Sequence, residues 1–428
     1  MTSIFPAEIV HEFMYFINED QEGTKTLLSC SLVSQTWCAI AWSYLYVQAA
    51  LDLVSGTTAS PLITTVTMFP HIRAHIHRLF LTVPQLTWRA SVSAVSVLGD
   101  FPSLRSLQIR PSRFGVRLRG SEGLVENLHL VLSSRFLTSL DLSEIWDLPI
   151  EILYRCVALE KLFIKRVTFT IPKPGSEDEN DITRNRSEER PFLRSFVLST
   201  QDQDDCQILD FLLSPVSPFD ISKLQVFMGL DRRDTDSSYE DHCKFISHVS
   251  PTLETILIDP APSCLSKSLR NPLGPLKPHK LRKISSITLV TMQVPFHSLD
   301  AFPWAMALLS GLPTPEILHD ITLLCDLAWY DSGEFTLYQG GWLELDALLT
   351  RFYNLKRVYV KCYSVSHWGT DNLVSRLNSL LPTSFNKGIL FVECSSSDRI
   401  YTSSMEHKLM VDTLGGLHPA YINEYRGY

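Results

Sequence analysis

The residues best equipped for chemistry in this chain are few and far apart. His71, His75 and His77 lie close together, and the first two would share one face of a helix, as a pair of zinc ligands would. No third ligand follows at a recognisable spacing, so surface histidines are expected here. His242-Cys243 and His367-Trp368 are isolated in the same way. Asp202, Asp204 and Asp205 form an acidic run, but without the glycine that an EF-hand loop needs at its turn. The nine cysteines (Cys30, Cys38, Cys156, Cys206, Cys243, Cys264, Cys325, Cys362 and Cys394) are scattered and never spaced as Cys-x-x-Cys. Such usage implies reduced thiols in the cytoplasm or nucleus. No nucleophile elbow, phosphate loop, dinucleotide fingerprint or His-Glu-x-x-His motif occurs. The expectation is a chain that is not an enzyme and takes no cofactor and no metal.

That leaves binding. The 428 residues are 45% hydrophobic and 20% charged, the balance of a folded protein with room for two structural units. A net charge of −8 gives nucleic-acid binding no electrostatic support. Residues 27–51 carry no charge, yet Ser29, Ser31, Ser34, Gln35, Thr36, Ser43 and Gln48 interrupt the run and no basic cluster flanks it. A membrane span is therefore not expected. Nor does the N-terminus show the basic start and apolar run of a signal peptide.

The stretch over 5–47 is the richest in large apolar residues. Pro6 suits the first position of a helix, where no N–H is needed. Ile9, Phe13, Phe16 and Ile17 then recur at helical spacing and define one apolar face. Gly23 and Thr24 offer a stop and a new N-cap. Leu27, Leu28, Leu32, Val33, Trp37, Ile40, Tyr44 and Leu45 follow three and four apart. A unit of about 45 residues cannot bury all of these against itself, so part of the surface is expected to meet another protein.

The order Phe5-Pro6-x-Glu8-Ile9, then Leu27-Leu28-x-Cys30-Ser31-Leu32-Val33, then Trp37 and Tyr44-Leu45-Tyr46 resembles the F-box, most closely that of fungal proteins. The match covers about the first tenth of the chain. Phe5 replaces the usual Leu, and Ser34 stands where many boxes have Cys; neither changes the apolar character of the contact face. The family's box binds the small adaptor subunit of a cullin–RING ubiquitin ligase. The resemblance implies that Phe5, Pro6, Glu8, Ile9, Leu28, Val33 and Trp37 form that surface here, within an F-box unit of residues 1–50.

Past the box, one hexad keeps returning: apolar-x-x-apolar-x-apolar. It reads Ile76-Leu79-Leu81, Leu104-Leu107-Ile109, Leu137-Leu140-Leu142, Leu159-Leu162-Ile164 and Leu193-Phe196-Leu198. It continues as Leu253-Ile256-Ile258, Ile284-Ile287-Leu289, Leu318-Ile321-Leu323 and Leu355-Val358-Val360. Leu224-Phe227 fits as well, with Gly229 in the third place. From Ile76 to Leu355 is 279 residues in nine steps, a mean of 31. The fourth and sixth places of a hexad face one side of a strand, and the fifth faces the other. Between hexads lie helix-like stretches at 207–213, 241–249, 342–352 and 371–381. The pattern resembles a leucine-rich repeat, though the usual Asn or Cys at the turn is replaced by Ser112, Ile145, Val167, Gln201 or Met292. Irregular turns are therefore expected. The predicted fold class is α/β: a short helical F-box followed, over 51–428, by an irregular leucine-rich-repeat-like solenoid.

Three polar or proline-rich stretches, 172–191, 231–241 and 260–279, read as mobile insertions. In such a solenoid, function falls to the outward row. Val197, Met228 and Leu257 make its centre apolar, as an exposed contact patch would be. Arg357, Tyr359 and Lys361 alternate in the last hexad strand and suit an acidic or phosphorylated peptide. The resemblance as a whole implies a substrate-recognition subunit of an SCF-type ubiquitin ligase, with the box on the adaptor and the solenoid on an unknown protein target. The alternatives are a scaffold that binds the adaptor without delivering a target, and an enzyme whose site is built from loops.

Overall fold

All ten hexads are β-strands in the computed structural model, which describes residues 5–19, 23–52, 61–83, 101–111, 116–117, 128–170, 190–200, 207–231, 236–258, 273–292, 302–326, 339–363 and 370–395. The described residues form a mixed α/β fold in two compact units. One comprises 1–193 with 215–220, and the other 194–214 with 221–428.

The first unit opens with three helices, α1 (Ala7–Glu19), α2 (Gly23–Cys30) and α3 (Gln35–Leu45). Pro6 precedes α1 and its carbonyl accepts the N–H of Val10 at 3.2 Å. Glu8 in the first turn complements the positive end of the helix dipole. Gly23 starts α2 where a Cβ would overlap the Ile17 carbonyl oxygen, so only glycine permits this close approach of the two helices. Ser34 caps α3, its Oγ accepting the Trp37 N–H at 3.3 Å. The Cys expected there by resemblance is thus replaced by a residue that stops the turn and starts the helix.

The core of this bundle is small: Val10, Met14, Leu27, Cys30, Ile40 and Ala41, with Ile17, Trp37, Tyr44 and Leu45 packed on it. The apolar face expected on α1 is not the one that packs on this core. Val10 and Met14 point inward, one turn apart, while Ile9, Phe13 and Phe16 point outward. Burial pushes the Cys30 thiol up. Tyr44 donates to the His11 carbonyl at 3.2 Å and ties α3 to α1. Trp42 stacks on His71 at 4.7 Å, joining α3 to the 3-10 turn Pro70–His75.

The chain then enters the sheet at once. Strand β1 (Gln48–Asp52) pairs in parallel with β2 (Arg78–Val83), so the expected boundary at residue 50 cuts through a strand and the helical unit ends before it. Strands β3 (Ser106–Pro111), β4 (Ser139–Ser143) and β5 (Lys161–Lys165) follow in order, all parallel. The fourth hexad places stand in one ladder, Leu79↔Leu107↔Leu140↔Leu162, and the sixth in another, Leu81↔Ile109↔Leu142↔Ile164. Every one of these side chains is buried.

The second unit repeats the plan with β6 (Ser195–Thr200), β7 (Val226–Asp231), β8 (Thr255–Ile258), β9 (Ser286–Met292), β10 (Asp320–Asp326), β11 (Arg357–Tyr363) and β12 (Leu390–Ser395). Its fourth-place ladder runs Phe196↔Phe227↔Ile256↔Ile287↔Ile321↔Val358↔Leu390. Strand β12 falls outside the hexads, because its approach, Lys387-Gly388-Ile389, lacks the leading apolar place.

Entry to the strands follows a fixed geometry. Two successive N–H groups converge on one carbonyl of the strand before. Arg105 and Ser106 bond the His77 oxygen, Thr138 and Ser139 that of Arg105, and Glu160 and Lys161 that of Thr138. In the second unit Glu254 and Thr255 bond Gln225, Ser285 and Ser286 bond Glu254, and Lys356 and Arg357 bond His319. The turns that leave β4 and β5 are irregular, as expected. Glu144 and Arg166, at equivalent places, both adopt left-handed backbone (φ 57° and 52°) and pair with each other at 3.3 Å.

Helices return the chain between strands of the second unit: α4 (Gln207–Leu213), α5 (Asp236–Val249), α6 (Phe302–Ser310), α7 (Gln339–Leu349), α8 (Thr370–Leu380) and α9 (Pro382–Asn386). Two expected mobile insertions are corrected in part here, 232–235 and 260–272 lying outside the described residues. The stretch 231–241 opens α5 at Asp236, with Tyr239 buried. The end of 260–279 is packed as well: Tyr239 donates to the Leu273 carbonyl at 3.2 Å, Trp304 donates to the Tyr239 hydroxyl at 2.8 Å, and Leu276 and Pro278 are buried. Residues 172–189 lie outside the described set. Arg190 and Pro191 are held, by an Arg190 bond to the Pro215 carbonyl at 2.8 Å and an Asp220 N–H on the Pro191 carbonyl at 2.9 Å.

Gly229 explains the hexad with a missing apolar residue. The His242 imidazole of α5 comes within 3.3 Å of where its Cβ would be, closer than an ordinary van der Waals contact, and sits edge-on to Phe227 at 5.9 Å. His242 is buried, its Nε2 makes no hydrogen bond among the described residues, and burial pushes its pKa down to about 4. A histidine buried neutral stabilises above its unfolded pKa of about 6.5, and that stability is lost as pH falls toward 4. The loss reaches at most roughly 3 kcal/mol over that window. Asp141, whose carboxyl burial pushes up to about 6, acts with the opposite sign, while His75 and His77, both pushed down by burial, act with the same sign. His242→Gln should flatten the fall of the thermal midpoint between pH 6.5 and 4 relative to wild type. Equal slopes in the two proteins would remove His242 from the account.

Asp346 of α7 is also buried. Its Oδ2 accepts the Thr383 N–H at 2.7 Å, and Oδ1 accepts the Ser384 N–H at 3.0 Å and hydroxyl at 2.7 Å. One carboxylate thus caps the start of α9 from another helix. Asp346→Ala leaves three donors without their charged acceptor and should cost about 3 kcal/mol, read as a lower urea midpoint at unchanged slope.

Candidate functional site

The surface of the helical bundle is unusually apolar for its size. Phe5, Ile9, Phe13, Leu28 and Val33 are at least half exposed, Phe16 is 66% exposed and Leu32 is 87% exposed. Helix α1 carries Ile9, Val10, Phe13, Met14, Tyr15, Phe16 and Ile17, more apolar residues than a single inward face can take. Of those left outside, Phe13 meets Trp37 at the start of α3, just past the α2–α3 turn. That turn is rigid: Ser31 donates to the Leu28 carbonyl at 2.7 Å, and Val33 N–H bonds the Cys30 carbonyl at 3.1 Å. Leu32 and Val33 are held outward by backbone rather than by packing.

Of the expected contact residues, Phe5, Pro6, Glu8, Ile9, Leu28 and Val33 are exposed. Trp37 differs. It is half-buried, packs on the bundle core and meets Phe13 ring to ring at 5.8 Å. Its first job is structural. Phe13, Phe16 and, in the α2–α3 turn, Leu32 were missed as surface residues, and the signal available for the first two was the excess of apolar positions on α1.

The apolar row of the sheet is corrected more sharply. Val197, Met228 and Leu257 do stand in register, followed by Thr288, Thr322, Tyr359 and Phe391. Yet Val197, Met228 and Leu257 are fully buried and Thr288 is nearly so. They form core, and an accessible apolar patch at these three residues is ruled out. Only the far end of the row opens: Thr322 and Tyr359 are half-buried and Phe391 is 43% exposed.

Arg357, Tyr359 and Lys361 do share that open end, but not as a bare cationic patch. Arg357 forms a two-point ion pair with its register partner Asp320, at 2.6 and 3.0 Å. That pair holds the guanidinium proton above its already high ordinary value. Lys361 lies 3.6 Å from its register partner Glu393. Tyr359 packs on Phe391 at 5.2 Å and under the Arg357 guanidinium at 5.9 Å. In-register carboxylates offset both cations, which leaves an aromatic pair framed by ion pairs.

Metal chemistry finds no site among the described residues: no group of three His, Cys, Asp or Glu side chains is placed to hold an ion. His71 stacks on Trp42 instead, and its 3-10 backbone takes it off any shared α-helical face with His75. No helix among the described residues is long and apolar enough to cross a membrane. Set against known proteins, the chain matches no family model and no curated protein.

The Arg357–Asp320 pair is half exposed on the arginine side, so its contribution is small. A double-mutant cycle with Arg357→Gln and Asp320→Asn should give a coupling of about 0.5–1 kcal/mol that shrinks in high salt. A coupling indifferent to salt would mean that the pair is not electrostatic in origin.

Proposed function

We propose that this chain is the substrate-recognition subunit of an SCF-type cullin–RING ubiquitin ligase. In this reading the three N-terminal helices are an F-box that docks the ligase adaptor, and the parallel-strand region is a leucine-rich-repeat-like solenoid that holds a protein target. The observation that carries it is the bundle itself: a core of six buried residues beneath a larger outward set of Phe, Ile, Leu and Val side chains. Apolar surface concentrated on so small a unit marks a protein contact. The order of motif residues in 5–46 supports assigning that contact to the adaptor.

The parallel pairing of the hexad strands within each unit, with one register shift at Val290/Met292, and their mean spacing of 31 residues support the repeat reading of the rest. The target would meet the open end of the row, where Tyr359 and Phe391 lie between Arg357 and Lys361. Ubiquitin transfer would then rest on proximity, with no reacting group from this chain.

The test uses the full chain. Leu28→Ala with Val33→Ala removes two exposed anchors and spares the bundle core. Hot-spot side chains contribute about 2 kcal/mol each, so capture of purified adaptor should fall by more than about tenfold while the thermal midpoint stays put. Undiminished capture by this double variant would sink the assignment.

A further inference from the structure

Three cysteines far apart in sequence come together at the end of the second unit. Cys325 on β10, Cys362 on β11 and Cys394 on β12 are direct register partners, Cys325↔Cys362 and Cys362↔Cys394. Parallel neighbours stand about 4.8 Å apart with side chains on the same face. That spacing lies inside the Cα separation of about 4.4–6.8 Å that a disulfide spans. All three are reduced thiols; Cys325 and Cys362 are fully buried, and Cys394 is half-buried on the last strand of the order. The Cys362 thiol hydrogen-bonds with both flanking cysteines.

We infer that Cys394 and Cys362 form a peroxide-responsive thiol pair, with Cys394 as the attacking sulfur and Cys362 as the resolving one. The two have unequal access, as such a pair requires. Of the three, only Cys394 meets solvent, and the buried Cys362 is its register partner.

The electronics agree with this division. Hydrogen bonding with Cys325 and with Cys394, together with burial, keeps the proton on Cys362. The bond from Cys362 pulls the Cys394 thiol below its ordinary value, against the opposing effects of burial and of Glu393. Lys361 lies 3.6 Å from Glu393 and offsets part of that negative charge. A lowered thiol that remains accessible is the one that reacts first.

The chemistry closes with hydrogen peroxide as oxidant. The Cys394 thiolate attacks one peroxide oxygen, the O–O bond breaks, and the departing hydroxide takes a proton to leave as water, giving a sulfenic acid. The Cys362 sulfur then attacks the Cys394 sulfur and forms the S–S bond. The sulfenic oxygen leaves with its own hydrogen and the Cys362 proton as a second water. Two thiols are oxidised, and one peroxide is reduced to two waters. Cys325 stays reduced beneath the pair.

The full chain, treated with an equimolar dose of hydrogen peroxide and then alkylated, is mapped by mass spectrometry. A Cys362–Cys394 linked peptide, reversed by dithiothreitol, is expected. Cys38, also half-buried, is the internal comparator and should react at least about tenfold more slowly than Cys394. In Cys362→Ser the reaction should stop at a Cys394 sulfenic acid, captured by dimedone. In Cys394→Ser the Cys362 thiol should survive the same dose. Oxidation of Cys38 as fast as Cys394 in wild type would overturn the inference. So would a Cys325–Cys362 link that forms without Cys394, or direct overoxidation of Cys394 with no linked peptide. The wild-type map decides the matter even where a variant does not fold.

Discussion

Everything in the sheet depends on one repeated backbone contact: two consecutive N–H groups at the entry of a strand bonding a single carbonyl of the strand before. Arg105 and Ser106 on His77, Ser285 and Ser286 on Glu254, and Lys356 and Arg357 on His319 are instances from both units. The contact fixes where each strand begins relative to its neighbour. Once the start is fixed, the pleat decides which residues face inward, because a slip of one residue would turn every core side chain outward. This is why the fourth and sixth places align in ladders across connections of unequal length.

Alignment in register has consequences beyond the core. It brings complementary or like residues together from distant parts of the chain: Asp320 beside Arg357, Lys361 beside Glu393, Tyr359 beside Phe391, and the three cysteines. Charges that look free in the sequence are paired, and cysteines that look scattered share a ladder. Where the register meets an obstacle, the sequence yields. Gly229 gives up an apolar side chain where the His242 ring packs close against the backbone.

The helical bundle obeys a different constraint. With so few buried residues it gains little from burial, and it is secured by local devices: the glycine at the α1–α2 contact, the Ser34 cap and the Tyr44–His11 bond. These hold the α2–α3 turn in a shape that no core requires. The exposed Leu32 and Val33 are presented by that turn, so the surface exists whether or not anything is bound to it.

Periodicity alone determined much of this protein. Ten strands, the helices near 207–213, 241–249, 342–352 and 371–381, and the helical start of the chain follow from apolar spacing, because burial on one face leaves a period in the sequence. That part of this small unit's apolar surface stays exposed was legible from its excess of apolar residues, whereas Phe5, Ile9, Leu28 and Val33 in particular were named through the resemblance. Tertiary structure decided the rest. Spacing marks a face as apolar but not what lies against it, so Val197, Met228 and Leu257 read as surface and are core, and the apolar face of α1 did not by itself show that Phe13 and Phe16 point outward. The pairing of Arg357 and Lys361, the packing of Tyr239 on the 273–278 turn and the cysteine ladder all join residues 30 or more positions apart. Such contacts depend on strand register, and register is settled only when the whole ladder of backbone bonds forms.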